Sequence, residues 1–261
     1  MLDLGRYGSR EIMNLQVLDY ITATPLMYFD YANTASDESA GDRTFATGGS
    51  GGTRRIKFDG AKTRVLTVET QIFTLQHLAI LAGNPITSGA KNIYKTEVVK
   101  VSTGKTISLK RKPLGVAFVS VLPYKNGIAI GKPQEVQTVT DNLITLAATS
   151  TVAIGDEVEV YYQFEATSAH TVTYTTKGFP GYVTLIGDTF YADEVGSNGG
   201  TTNLVAVQKK YFKASMQPNY TVTHNATGDA ATLTMVFDIF GVKVDGEEVM
   251  VEETIYEDEL V

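Results

Sequence analysis

The chain has 261 residues, a formal net charge of −7 and no Cys. A chain of this length buries enough surface to fold without disulfides, and the lack of Cys excludes thiolate nucleophiles, iron–sulfur clusters and Cys-based zinc sites. Its 34 Thr and 26 Val favour strands, because their branched side chains suit a pleated sheet. The composition therefore predicts a mainly β protein.

The negative charge is concentrated at the C-terminal end. Residues 245–261 carry eight carboxylates and no Lys or Arg, whereas the rest of the chain carries 22 basic and 21 acidic residues. This balance argues against a dedicated nucleic-acid binder, since such proteins present basic surfaces. No apolar run approaches the ~18 residues that span a bilayer, and residues 1–10 lack the apolar core of a signal peptide. We therefore expect no membrane partner and synthesis in the cytoplasm.

Residues 33–55 are rich in Ser, Thr, Gly, Asp and Arg and end in a glycine-rich run at 47–52. Nothing in this stretch can build a core, which predicts either a long loop or a mobile hairpin arm. Alternating polar and apolar residues then predict strands at 55–58 and 64–70, with a turn at Asp59-Gly60 between them.

One segment changes to a helical period. The residues that recur at i, i+3, i+4, i+7 and i+8 are Phe73, Gln76, His77, Ile80 and Leu81. With Thr70 as the N-cap and Gly83 at the end, they predict a single helix of about 12 residues. His77 lies on the apolar face, where a partly buried, hydrogen-bonded histidine is favoured over a catalytic one.

The pattern between 93 and 166 changes to short strands at regular spacing. They are predicted at 96–101, 106–109, 116–122, 134–139, 143–146 and 157–164. Six short strands in about 70 residues match the rhythm of a small immunoglobulin-like sandwich. A longer strand follows at 232–240, where Leu, Met, Phe and Ile alternate with other residues and predict one buried face.

Four motifs suggest chemistry, and each has a simpler interpretation. Residues 48–52 match G-x-S-x-G, but they lack the preceding buried strand and following helix of a nucleophile elbow. Asp188, Asp193 and Glu194 lack the spacing of a calcium loop. The three His lack zinc-ligand spacing. The basic run at 110–112 predicts a solvated turn, with an anionic partner as the alternative. We expect no catalytic, cofactor or metal site.

The basic, glycine-rich arm at 41–55 and the acidic C-terminal segment at 245–261 are the candidate functional regions. Neither supplies apolar burial, and such segments often become ordered only against another subunit. In the arm, the predicted interface residues are Arg43, Phe45, Arg54 and Arg55. In the C-terminal segment they are Glu247, Glu248, Glu252 and Glu253. Opposite charge favours contact between the arm of one copy and the acidic segment of the next, with independent solvation as the alternative.

Four stretches resemble the bacteriophage tail tube (major tail) protein family. They are FATGG with RRIKFDG (45–60), VETQIFTLQHLAILAG (68–83), GYVTLIGDT (181–189), and 212–240 with its QPNYTVT and FDIF. The resemblance implies a β-sandwich or barrel domain with one flanking helix and a hairpin arm, formed by 1–92 and 167–261. The segment 93–166 is then an inserted immunoglobulin-like β-sandwich domain.

The resemblance also implies a function, that of a non-enzymatic tail tube subunit which polymerises into stacked hexameric rings. Such a tube holds the tape measure protein and later guides DNA out without binding it, so the acidic segment lines the lumen or pairs with a neighbouring arm. Sheath, terminator or baseplate proteins are further partners, and the location is the virion tail, assembled in the host cytoplasm. The alternatives are a head decoration or baseplate protein, and a carbohydrate-binding module, which 14 Tyr support and the lack of Trp weakens.

Overall fold

The structure is a computed structural model that describes residues 6–9, 11–193, 203–222 and 230–256. The chain forms two compact units, which we call unit 1 (Met1–Ile86 with Val172–Val261) and unit 2 (Thr87–Thr171). Unit 2 is longer at both ends than the predicted inserted domain, 93–166, because its first and last strands are longer than the sequence pattern indicates. No helix among the described residues is long and apolar enough to span a bilayer.

The elements follow one another in a mainly β order. Before the insertion they are β1 (Tyr7–Ser9), β2 (Asn14–Asp19), β3 (Pro25–Phe29), β4 (Thr34–Thr47), β5 (Arg54–Thr70) and α1 (Leu75–Ala82). Unit 2 contains β6 (Thr87–Lys100), β7 (Thr106–Ser108), β8 (Val119–Lys125), β9 (Ile128–Ala129), β10 (Val136–Thr140), β11 (Leu143–Leu146) and β12 (Glu157–Thr171). After it come β13 (Tyr182–Asp193), β14 (Asn203–Met216), β15 (Leu233–Ile239), β16 (Val242–Val244), β17 (Glu247–Val249) and β18 (Val251–Tyr256). Short 3-10 turns at Thr103–Lys105 and Val116–Phe118 complete the elements of unit 2.

Nine strands of unit 1 form one antiparallel sheet in the order β3-β2-β13-β14-β15-β5-β4, with β1 joined to β13 and β18 joined to β14. The sheet branches at β14, where residues 206–211 pair with β18 and residues 214–216 pair with β15. Strands β16 and β17 form a separate hairpin. The prediction of a mainly β fold with one α-helix is confirmed for the described residues.

The alternation of β15 explains why this sheet has one buried face. Leu233, Met235, Phe237 and Ile239 are buried, while the residues between them are only partly covered. They belong to one apolar cluster that also draws residues from β2, β3, β5, β13 and β14 and includes Leu81 of α1. Period-2 alternation places every second side chain on the same face. The predicted buried face of this strand is therefore correct.

Helix α1 begins later than predicted and is only eight residues long. Thr74 precedes it, whereas Thr70 is the last residue of β5 and pairs with Leu233. The end is as predicted, because Gly83 takes the left-handed conformation with φ 61°. A Cβ at Gly83 would lie 2.2 Å from the carbonyl oxygen of Phe179, so both the conformation and the space require glycine.

Strands β4 and β5 form the longest hairpin of unit 1. Of the two predicted alternatives for residues 33–55, the structure has the hairpin. The predicted turn at Asp59-Gly60 is wrong, because β5 runs through it and pairs with β4 on both sides, as Arg43 with Asp59 and Gly41 with Lys62. The register shifts at this point, so an irregularity in the ladder stands where the turn was expected.

Unit 2 contains two antiparallel sheets that enclose a separate core. One has the order β6-β12-β8-β9, and the other has the order β10-β11-β7. Residues of both contribute to one buried apolar cluster, among them Val121, Ile144 and Val160.

The buried Glu97 accepts hydrogen bonds from the Tyr162 hydroxyl (2.5 Å) and from the backbone N–H of Lys110 (3.2 Å). The immunoglobulin-like identity of this unit stays a prediction.

Candidate subunit interface

The distal part of the β4–β5 hairpin, residues 41–63, is called the arm. None of its residues is buried, although its two strands pair along the ladder. At its tip, Gly49, Gly51 and Gly52 have φ values of 85°, 89° and 61°, which side chains disfavour. The arm is therefore ordered by backbone pairing and cross-strand contacts rather than by a core.

One face of the arm holds an ion-paired group near the middle of the ladder. Arg43 donates from Nε to a carboxylate oxygen of Asp59 at 2.5 Å, and Lys57 Nζ lies 3.1 Å from the other oxygen. All three side chains are more than half exposed. Exposed ion pairs of this kind contribute about 0–1 kcal/mol, so this group sets local geometry more than stability.

The other predicted arm residues also have partners inside the hairpin. The guanidinium of Arg54 lies 4.1 Å from the centre of the Phe45 ring, a cation–π contact. Arg55 donates from Nε to the carbonyl oxygen of Gly48 at 3.3 Å. All four predicted interface residues of the arm thus lie on one projecting element, and each makes a contact within its own chain.

The opposite face of the arm is mainly apolar. Its two large side chains, Ile56 and Phe58, were not among the interface residues predicted from the sequence. Ile56 and Phe58 are each 57% exposed and alternate along β5, opposite Ala46 and Thr44 on β4. Strand alternation places these four side chains on one face. The signal was present in the sequence as the polar–apolar alternation at 55–58. The arm therefore projects an uncovered apolar surface together with its cations.

The acidic C-terminal segment is divided between β17 and β18. Glu247 and Glu248 are exposed on β17, and Glu252 is exposed on β18. Glu253 differs, because it pairs with Lys209 of the neighbouring strand β14, Oε2 to Nζ at 3.3 Å. Asp245 is exposed in the turn between β16 and β17, and the carboxylates at 257–259 lie outside the described residues.

A series of ion pairs and hydrogen bonds between side chains connects the base of the arm to β18. Arg64 donates two hydrogen bonds to Asp37, from Nε at 2.7 Å and from a terminal nitrogen at 2.6 Å. The Tyr211 hydroxyl donates to the same carboxylate at 2.9 Å, and Lys209 Nζ lies 3.8 Å from it. Lys209 in turn contacts Glu253 at 3.3 Å. We call these five residues the base network; Asp37, Lys209 and Tyr211 had no signal in the sequence.

The contacts of the base network shift the pKa values of Asp37 and Tyr211, and Glu253 acts on the pKa of Tyr191. Burial raises the pKa of the Asp37 carboxyl, but hydrogen bonds from Arg64 and Tyr211 outweigh it, and the pKa is lowered overall. Burial, together with the Asp37 charge, raises the pKa of Tyr211 far above its usual range. Tyr191 donates to Glu253 at 2.7 Å, and burial with this bond raises its pKa to about 12. At neutral pH the Asp37 carboxylate is therefore charged, and Tyr191 and Tyr211 are neutral.

His77 is more buried than predicted and belongs to the core of unit 1. Its Nδ1 accepts the backbone N–H of Thr74 at 2.7 Å, and its ring lies 4.3 Å from that of Phe29, centre to centre. Among the described residues, Nε2 has no hydrogen-bond partner. Burial lowers the pKa of His77 to about 4. The imidazole is neutral at pH 7 and helps to begin the helix.

The remaining motifs do not come together as a reactive site. The glycines at 48–52 form the tip of the arm, with a strand on each side. Asp188 accepts hydrogen bonds from Gln16 and Gln208, and Glu194 lies outside the described residues. The basic run at 110–112 is exposed in unit 2. Among the residues that the structure describes, no three His, Asp or Glu side chains gather as a metal-binding set.

One comparison with known proteins, the match to a family model, agrees with the sequence resemblance. No curated protein matches the chain. The model of the YomU/Tube protein family matches residues 9–252, which include all of unit 2, most of unit 1 and seven of the eight predicted interface residues, all but Glu253. The match therefore extends over the arm, four of the five residues of the base network and residues 245–252 of the acidic segment. The chain belongs to the YomU/Tube protein family, a family of phage tail tube proteins.

Proposed function

We propose that the protein is a tail tube subunit that polymerises into stacked hexameric rings, which form the channel for DNA ejection. Membership of the YomU/Tube family points to a structural, non-enzymatic component of the virion tail. The finer steps of the proposal concern how copies of the chain meet, what passes through them and what binds them.

The observation that carries the proposal is the arm. A two-stranded ribbon without a core is only marginally stable alone, because ordering its backbone costs about 1–2 kcal/mol per residue. The arm nevertheless keeps Ile56 and Phe58 exposed on one face. A surface of this kind is stabilised when it packs against another subunit. The arm is therefore the principal contact between copies in our proposal.

Charge supports the same contact. The arm carries five basic and two acidic residues, whereas the rest of unit 1 carries eight basic and 20 acidic residues. The basic arm of one copy is thus attracted to the acidic body of the next. Glu247, Glu248 and Glu252 are exposed acidic residues in the segment that we predicted to meet the arm. Contact between the arm and this segment remains part of the proposal.

The same charge distribution suits a passage for DNA. A net negative tube subunit does not retain a polyanion, since tight binding to DNA requires basic groups that displace its counterions. The proposal therefore has DNA move through the channel without specific contacts and has the tape measure protein fill it beforehand. Sheath, terminator or baseplate proteins would meet the outside and the ends of the tube.

Electron microscopy of the purified protein tests the proposal. We expect hollow tubes or rings with six-fold symmetry, and a protein that stays monomeric at all concentrations would contradict it. The double variant Ile56→Ser, Phe58→Ser should abolish assembly and leave a folded monomer, because it removes the apolar face of the arm. The matched control is Ile128→Ser, which changes an exposed isoleucine of unit 2 and should leave assembly unchanged.

A second candidate function is carbohydrate binding by unit 2. Tyr94 is 80% exposed and shares the solvent face of β6 and β12 with Tyr161, so two tyrosine rings face outwards on one sheet. A monomeric protein whose affinity for oligosaccharides is lost on Tyr94→Ala would favour this function over the tube. Tubes with no such affinity would favour the tube alone.

A further inference from the structure

We propose that Lys209 is a positioning residue through which the acidic C-terminal strand fixes the arm from within its own subunit. The proposal assigns to Glu253 a role inside one copy, in place of contact with the arm of a neighbour. It rests on the proposed function only for its consequence in assembly, because the positioning itself takes place in a single chain.

The geometry places Lys209 between two carboxylates on different strands. Its Nζ lies 3.8 Å from Asp37 on β4 and 3.3 Å from Glu253 on β18. The side chains of Lys209 and Asp37 are only 16% and 13% exposed. Charges with so little exposure are poorly screened by solvent and require partners. Arg64 holds Asp37 by two shorter hydrogen bonds, and Lys209 is the cation that lies close to both carboxylates.

The contacts of Asp37 with Lys209 and Tyr211 join two strands, β4 and β14, that are not neighbours in the sheet. Along the backbone ladder, β4 reaches β14 only through β5 and β15. The base network joins β4 to β14 directly through side chains, by the Tyr211 hydroxyl bond and the Lys209 ion pair to Asp37. Strand β18 pairs with β14 at Lys209, so Glu253 lies opposite it in the register. The branch of the sheet that carries the acidic residues is thus tied to the base of the arm.

The base network lies at the foot of the arm, where a small change in angle produces a large displacement of the tip. Arg64 directly follows the arm on β5, Asp37 lies four residues before the arm on β4, and the two are bonded to each other. About ten residues per strand separate them from the tip, so the arm is roughly 30 Å long at about 3.3 Å per residue. A tilt of about 5° at the base then moves the tip by about 3 Å. A contact between subunits that relies on Ile56 and Phe58 depends on this orientation.

The acidic residues differ in a way that separates the two roles. Glu253 has two partners in its own chain, since Tyr191 donates to one oxygen and Lys209 contacts the other. Glu252 is the next residue on the same strand and lies on the opposite face, because successive side chains alternate. Both residues are exposed, but only Glu253 lies on the face of Lys209 and Tyr191, so positioning belongs to Glu253 and Glu252 is available for contact outside the subunit.

Hydrogen exchange of the monomer, at a concentration below assembly, tests the positioning. Lys209→Met and Glu253→Gln should each speed exchange of the amides near 37–41 and 62–66 by about fivefold, the order expected for a partly buried ion pair. Lys209→Arg should restore protection, because it keeps the charge. Glu252→Gln is the matched control and should change nothing. A neighbouring arm cannot act in a monomer, so unchanged exchange in both variants overturns the proposal.

The assembly measurement separates this proposal from the proposed function. Lys209→Met and Glu253→Gln should raise the concentration needed for tube formation, and Lys209→Arg should not. Wild-type protein that forms no tubes overturns the proposed function, while faster exchange in the monomeric variants still supports the positioning role. Normal tubes with unchanged exchange in both variants overturn the positioning role and leave the function intact.

Discussion

The β4–β5 hairpin is one continuous ladder with two different halves. In its base, Leu66 and Val68 are fully buried, and Asp37 and Arg64 are bonded within the base network. In the arm, no residue is buried, and the ion pairs are exposed. The same backbone pairing thus has a core beneath it at one end and solvent around it at the other. Regular strand geometry alone does not show which part of a hairpin stabilises the subunit and which part is free to meet a partner.

The largest expected difference between the halves comes from apolar side chains. Leu66→Ala should lower the free energy of unfolding of the monomer by about 3 kcal/mol, because it removes buried methyl groups and leaves a cavity. Ile56→Ala should change it by less than about 0.5 kcal/mol, since its side chain is exposed in the monomer. Chemical denaturation of both variants measures the two values. Equal losses would mean that the arm is packed as tightly as the base.

Low pH should weaken the core of unit 1 through protonation of His77, without a substitution in the hairpin. The pKa of His77 is about 4 in the folded protein and 6.5 when unperturbed, so the unfolded chain binds more protons between these values. Stability should fall as pH is lowered from 6.5 towards 4, by at most about 3 kcal/mol. The lowered pKa of Asp37 acts below 3.8, outside this window.

The pH dependence is measured as the free energy of unfolding at pH 7 and at pH 4.5. His77→Gln should show a smaller loss than the wild type, because its side chain does not gain a proton. His170→Gln is the control, since His170 is exposed in unit 2. An equal loss in the wild type and in His77→Gln would assign the acid sensitivity to other groups.

A smaller difference is expected between two carboxylates of the same hairpin. Asp37→Asn should cost about 2 kcal/mol, because it leaves Arg64 and Lys209 half-buried with less compensation. Asp59→Asn in the arm should cost less than about 0.5 kcal/mol, since its partners are exposed. The two variants are compared by thermal or chemical unfolding at pH 7. A larger loss from Asp59→Asn would reverse the assignment of stability to the base.

Local chemistry made several features predictable. The alternation of Leu233, Met235, Phe237 and Ile239 predicted a buried face correctly, because one strand contains the whole signal. Gly83 marked the helix end, because its left-handed conformation depends on the adjacent residues. The start of the helix was misplaced because Thr70 and Thr74 are equally good caps in isolation. Thr70 is excluded as the cap only because it pairs with Leu233, which lies far along the chain.

The candidate site was predictable to a smaller extent, and the reason is sequence distance. The arm and the acidic segment were recognisable from composition, and the opposite charges suggested that they belong together. Asp37 had no such signal, because it lies in a polar stretch and its partner Tyr211 is 174 residues away. Lys209 is an unremarkable strand lysine in the sequence. Only the curvature and branching of the sheet bring these residues into contact.

The ends of unit 2 have a practical consequence. Thr87, which begins β6, is paired with Thr171, which ends β12, so the chain enters and leaves the unit at neighbouring positions about 5 Å apart. Unit 2 also contains its own core. We therefore expect that it can be exchanged without loss of the host sheet. A short glycine linker, or a foreign domain whose ends are equally close, should substitute for it and leave the nine-stranded sheet in register.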